Sequence, residues 1–413
     1  MIRHVLFISY DGMTDPLGQS QVIPYLIKLT RYGFRFTLLS GEKPERYRLY
    51  RETVGQQLAP YPINWVPVPY HKWPPVFSSV FDYVQLYRKA RALHRLDPFD
   101  LVHTRVGVPA LVGYRLKKKS GIPFLNDIRG FWADERVDGG MWNLRNPVYR
   151  LVYRFFRKKE DQFINTADFN TCLTEAARRE IHRWPQIRNQ PLPLEVIPCS
   201  ADTDFFNPGS VDENRRQALR QELGIAPDDR VITYLGSIGG WYLIDEMMRF
   251  CRVVQENIPK VRFLFLSPHL HEVIAAHAAK QGVDPSRLVV KHAQRAEIPA
   301  LLSLSTFSVF FIKPCYSKIS SSPTKHGEIM AMGIPVITNS GVGDVKEIVE
   351  QARAGWVVDD FSDATFSRVA AEMADHPGFD RTQIRKEALK VYSLDRAAEI
   401  YRRVYERIGN TKA

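Results

Sequence analysis

Residues 321–336 read SSPTKHGEIMAMGIPV and bring together the side chains best suited to hold a phosphate next to a sugar. Ser322 is placed to cap a helix, Pro323 suits the first helical position, and Thr324 and Lys325 fill the first turn. Leading N–H groups of a helix lack intrahelical acceptors, and the dipole is positive there, so this end attracts a phosphate. Lys325 adds a full charge at the same place. Glu328 follows three residues later on the same face, and its carboxylate can accept two hydrogen bonds from a vicinal diol such as a ribose. Gly333 and Pro335 then end the helix and launch a strand. The same pattern also describes an ordinary capped helix with a Lys–Glu surface pair.

Other candidates lie where strands end. The run RVITYL at 230–235 leads into Gly236-Ser237-Ile238-Gly239-Gly240, where backbone N–H groups near Gly236, Ser237 and Gly239 can form an anion-binding nest. Gly18 stands before a helix and can let backbone approach a phosphate or sugar closely. Asp127, Arg129, Asp134, Glu135 and Arg136 crowd the end of a strand at 123–126, either as a solvated face or as sugar and acceptor contacts. His103 ends another strand and reads as a structural histidine.

The elements that position these residues follow from periodicity. Apolar runs at 4–9, 34–40, 63–68, 101–103, 123–126, 169–173 and 195–198 alternate with helical patterns such as 20–31 and 80–95. The alternation restarts with runs at 230–235, 262–266, 288–291, 307–312, 334–338 and 355–358. Such alternation predicts an α/β chain of two Rossmann-like, doubly wound domains facing a central cleft, with ligands beyond the carboxyl ends of the strands. A linker rich in Ser, Asp, Asn, Pro and Gly at 199–211 divides a first Rossmann-like domain, 1–203, from a second, 204–385. A terminal helix, 386–413, is expected to pack back on the first domain.

A chain of 413 residues exceeds what one core supports, which agrees with two domains. The net charge of +12 favours anionic partners without choosing among them, and no aromatic-basic RNA-binding motif is present, so nucleic acid is not expected. Cys172, Cys199, Cys251 and Cys315 form no CxxC pair, and the N-terminus reads as a strand, so a cytoplasmic protein is expected. The pattern 147–159 places Val148, Leu151, Val152 and Phe155 on one stripe flanked by Arg150, Arg154, Arg157 and Lys158. It reads either as a core-facing helix with a basic outer face or as a peripheral contact with anionic lipid at the inner face of the cell membrane.

Taken together, S-S-P-T-K-x-G-E-x-x-A-x-G-x-P-V-I resembles the donor-binding segment of family 4 glycosyltransferases, which have the GT-B fold. Residues 11–25, 127–140 (DIRGFWADERVDGG), Thr174-Glu175 and 197–206 (IPCSADTDFF) resemble further stretches of a bacterial polysaccharide-type subgroup. The resemblance implies hexosyl transfer from a nucleoside diphosphate sugar to a glycan or lipid-linked acceptor, with retention and with neither metal nor cofactor. It makes Ser321, Ser322, Thr324, Lys325 and Glu328 donor contacts, and it brings His292 and Ala293, in KHAQRAE, to the nucleotide base. It also gives Asp127 and Arg129 a place in the catalytic region. Two departures stand out: Ser320 replaces a glutamate that contacts the donor sugar, and 236–242 carries no cation where relatives place Arg and Lys. A nucleotide-sugar 2-epimerase of the same fold, or a catalytically inactive binding subunit, are the alternatives.

Overall fold

The structure is a computed structural model that describes residues 2–74, 76–188, 191–376 and 378–410. The chain forms two compact units, each around one parallel sheet. The first unit comprises Met1–Pro198 with Leu394–Ala413. Its strands are β1 (His4–Ser9), β2 (Arg35–Glu42), β3 (Ile63–Pro69), β4 (Leu101–Arg105), β5 (Phe124–Ile128), β6 (Phe169–Cys172) and β7 (Leu194–Val196). They lie in the order β3-β2-β1-β4-β5-β6-β7. Every residue of β1, β4 and β5 is buried, as expected for central strands covered on both faces. The order reverses between β1 and β4, which marks the crevice where ligands sit in such sheets.

The last helix, Leu394–Asn410, belongs to this unit. Its apolar residues recur at Ala397, Tyr401, Val404, Tyr405 and Ile408, a helical stripe that packs on Ile23, Leu26 and Phe34.

The second unit is Cys199–Ser393. Its strands are β8 (Arg230–Leu235), β9 (Val261–Leu266), β10 (Leu288–Lys291), β11 (Phe307–Val309), β12 (Val336–Asn339) and β13 (Gly355–Val358). The order is β10-β9-β8-β11-β12-β13, so the switch point falls between β8 and β11.

The units divide at Pro198/Cys199 and again at Ser393/Leu394, not at the expected 203/204 and 385/386. Hydrogen bonds explain both differences. Ala201 N–H donates to Tyr392 O at 2.8 Å, and Arg385 donates to Thr203 O at 3.0 Å and Phe206 O at 2.7 Å. The linker is thus tied to the helix Arg381–Tyr392, which keeps residues 386–392 in the second unit. Residues 411–413 of the expected terminal segment lie outside the described residues.

Candidate functional site

In the second unit, β8 ends at Leu235 and the chain turns sharply. Gly236, Gly239 and Gly240 have φ of +125°, +78° and +62°, a region that disfavours side chains. The helix Thr324–Ala331 starts beside this turn, and Lys325 reaches into it. Lys325 Nζ donates to Tyr234 Oη at 3.2 Å and lies 3.6 Å and 4.4 Å from the ring centroids of Tyr242 and Tyr234. Tyr234 Oη in turn donates to Ser237 O. A Cβ on Gly236 would stand 2.7 Å from Nζ, so the glycine makes room for the ammonium.

Lys325 is buried, and among the described residues no carboxylate lies within ion-pair distance of it. Burial pulls its pKa down to about 7, opposed by the charge of Glu328. A buried ammonium without a counter-ion is costly, and the two ring faces offset only part of that cost. The site is therefore electrostatically incomplete in a way that an anion would complete.

A second cation, which the sequence reading missed, stands at the same loop. Lys318 sits in the short 3-10 turn Tyr316–Ser320, buried, with Nζ 3.7 Å from the Trp241 ring centroid. Two ammonium groups thus lie over the adjacent rings of Trp241 and Tyr242, in a loop that has no cation of its own. Ser320 helps to shape the turn: its buried hydroxyl donates to Ser317 O at 2.7 Å. The Ser321 N–H donates to Lys318 O at 3.1 Å and closes it.

Several local expectations are corrected. Pro323, not Ser322, is the N-cap, and no side chain caps the helix. Ser322 instead accepts the Cys199 N–H at 3.2 Å, so its hydroxyl secures the start of the unit's chain. Thr324 is the first helical residue and is half-buried. The Gly236 N–H donates to Leu266 O at 2.9 Å, so this amide extends the sheet and is already used. Ser237 and Gly239 are exposed on the turn.

Glu328 is half-buried, and its Oε1 lies 3.6 Å from the guanidinium of Arg295. Burial raises its pKa, with Arg295 and Lys325 opposing. Arg295 lies in the KHAQRAE segment; of the two residues expected at the base there, His292 is exposed and Ala293 packs on the core. Gly327 serves packing: a Cβ there would meet Tyr392 Cγ at 2.8 Å, and Tyr392 Oη pairs with buried His326 Nδ1 at 2.8 Å.

In the first unit, Gly18 lies inside the helix Pro16–Gln21 and not before it. A Cβ on Gly18 would stand 2.2 Å from Gly12 O, so its close approach is to the chain's own first loop. That loop is held by buried Glu42, which accepts from Met13 N at 2.6 Å, Thr14 Oγ1 at 2.7 Å and Ser40 Oγ at 2.6 Å.

Asp127 and Arg129 are brought together, but inside the fold. Asp127 accepts from Thr171 Oγ1 at 2.8 Å and lies 3.7 Å from His103 Nε2 and 3.9 Å from Arg129 Nε. Burial alone would raise the Asp127 pKa; Arg129, His103 and Arg105 overcome it and hold the carboxyl at about 2. Arg129 also donates to Gln21 Oε1 at 3.1 Å. His103 Nδ1 pairs with Tyr405 Oη at 2.7 Å, so this buried cluster reaches the terminal helix.

Residues 28–199 match the Glycosyl transferase 4-like domain, and residues 215–391 match Glycosyl transferases group 1. D-inositol 3-phosphate glycosyltransferase 2 of Catenulispora acidiphila is 22% identical over 303 residues, which cover 70% of this chain and 66% of that protein. The chain thus spans slightly less than two thirds of the length of that relative, and 63% and 60% of two others. A glycosyltransferase from Rickettsia africae ESF-5 superposes with a TM-score of 0.69 at 12% identity, over 98% of both chains. Anabaena HepE, crystallised with UDP, superposes with a TM-score of 0.71 at 14% identity, over 98% of this chain and 100% of that one. Two domain matches in tandem and two doubly wound parallel sheets agree: the chain belongs to the family 4 glycosyltransferases, with the GT-B fold.

Proposed function

We propose that the chain transfers a hexosyl group from a nucleoside diphosphate sugar to a hydroxyl of a glycan or lipid-linked acceptor, with retention and without a metal ion. One observation carries the donor reading: a buried ammonium, Lys325, with no carboxylate among the described residues within ion-pair distance, at the switch point of a doubly wound sheet. As the bond from the anomeric carbon to the phosphate oxygen breaks, negative charge grows on the departing diphosphate. Lys325, Lys318 and the helix start at Thr324 would meet that charge in a dry site, which is electrostatic stabilisation of the transition state. Glu328, steadied by Arg295, would take the diol of the ribose. The UDP held by HepE supports this class of donor, and retention rests on the family resemblance.

Turnover across a panel of nucleoside diphosphate sugars, with acceptor candidates present, tests the reading. Lys325→Ala should lower kcat/KM roughly 10²–10³-fold with the donor that works. Unchanged turnover would remove Lys325 from the mechanism. An epimerised sugar released without any acceptor would mark a 2-epimerase instead.

A further inference from the structure

The first unit contains a cavity of about 1100 Å³, just above the roughly 300–1,000 Å³ usual for small-molecule pockets. It opens where ligands are expected in this sheet. Tyr10 follows β1, Tyr70 follows β3, Val108 follows β4 and Trp132 follows β5, and all four line it.

Its lining has an unusual composition. Apolar and aromatic side chains form most of it, and Lys72, Arg115, Lys118, Lys119, Arg136 and Lys159 supply six cations. No carboxylate and no carboxamide is among the described residues that line it. A glycan pocket needs such groups to bind diols, so a bare sugar chain fits poorly. Among the described residues, Lys72, Lys118 and Lys119 have no ion-pair partner within 4 Å, and all three are exposed. Arg136 lies 4.3 Å from the Trp132 ring, and Arg115 lies 4.9 Å from that of Tyr87. Cations and apolar walls thus share one opening.

The mouth is also apolar on its outside. The helix Pro147–Thr166 does not bury the stripe read from its sequence: Leu151 is 70% exposed, and Val148 and Phe155 are exposed too. Leu151, Val152 and Phe155 line the cavity. Val76, Ser78, Ser79 and Val80 line it as well, and Trp73 and Phe77, next to them in sequence, are 79% and 75% exposed. Exposed apolar patches of this kind mark interaction sites, and a cationic border selects an anionic partner. No helix among the described residues is long and apolar enough to cross a membrane, so any bilayer contact of those residues is made from the side.

We propose that this cavity seats the acceptor, and that the acceptor is a lipid-linked phosphate: its apolar chain lies in the cavity and its phosphate lies on the Lys118–Lys119 side of the mouth. The assignment rests on the transferase reading and names the substrate class that reading leaves open. It gives the exposed stripe 148–155 a purpose, to meet the membrane surface from which the lipid enters.

Dodecyl phosphate, butyl phosphate and dodecyl maltoside, each kept below its micelle threshold, are titrated calorimetrically into the full chain. Dodecyl phosphate should bind saturably, and butyl phosphate at least about a hundredfold more weakly, because eight buried methylenes are missing. The uncharged maltoside should bind about tenfold more weakly or less. K118E/K119E, at the exposed mouth, should weaken dodecyl phosphate binding about tenfold. Val152→Trp, which fills the cavity, should weaken it as well, while an unchanged thermal transition of the first unit reports that both variants are folded. Equal affinity for butyl and dodecyl phosphate would show a free-phosphate site and overturn the proposal. Equal affinity for the maltoside, or binding only to phosphatidylglycerol vesicles, would overturn it too. No saturable binding of dodecyl phosphate by the unaltered chain, with nucleotide binding intact, defeats this inference alone, whereas lipid binding without nucleotide binding supports it and defeats the donor reading.

Discussion

Lys325 is where charge and burial conflict. Its folded pKa, about 7, lies below its ordinary value, so the folded chain gives up a proton that the unfolded chain keeps. For this group the unfolded state binds more protons between about pH 7 and pH 10.5, so stability rises with pH across that window and the full penalty is present below it. Lys325→Met should therefore stabilise the chain at neutral pH, by up to about 4 kcal/mol, while weakening diphosphate binding. Urea unfolding at neutral and alkaline pH checks this: the gain should shrink as pH rises, and a gain independent of pH would mean that packing, not charge, was relieved. Lys318 is a companion test. Lys318→Met should lower kcat/KM about 10–100-fold if the ammonium meets the diphosphate, and leave it unchanged if Lys318 only supports Trp241. Lys325 and Glu328 could be read from sequence because three residues of helix place them on one face. Lys318 and Arg295 could not, because the 3-10 turn and the β10 loop that aim them are set by packing over long range.

The strands were legible because central parallel strands must be apolar on both faces, and all thirteen expected runs became strands. The turns between them were less so. Ser322 looked like a cap, but its hydroxyl is used by Cys199, more than a hundred residues away in sequence. Gly18 looked like a ligand contact, but Gly12 O occupies the space beside it. Gly327, which the sequence does not mark out, receives Tyr392. Gly327→Ala should cost about 1–3 kcal/mol by overpacking, seen as a lower urea midpoint with unchanged slope. A neutral result would mean that Tyr392 yields easily. At β8, Gly236→Ala meets both a φ of +125° and Lys325 Nζ, so diphosphate binding should fall along with stability.

On the scale of the whole chain, the sequence predicts two sheets, but the crossing points depend on side chains distant in sequence. Arg385 draws 199–206 into the second unit, and Tyr401, Tyr405 and Ile408 carry the terminal helix onto the first. Deleting 394–413 uncovers that apolar face and leaves His103 without Tyr405. Calorimetry of the truncated chain should show the first unit's transition lost or lowered by many degrees, with the second unit's transition kept. Equal loss of both would mean that the two units unfold as one.

An anion seated on Lys325 would restore its ammonium, and the proton taken up on binding reports this. The nucleoside diphosphate that binds best is titrated calorimetrically between about pH 6 and about pH 9, in two buffers that differ in ionisation enthalpy. If the diphosphate restores the ammonium, binding takes up a proton above pH 7 and affinity falls by up to about tenfold per pH unit there, an effect absent in Lys325→Met. Affinity that is flat across this range, with no proton taken up, would contradict the claim.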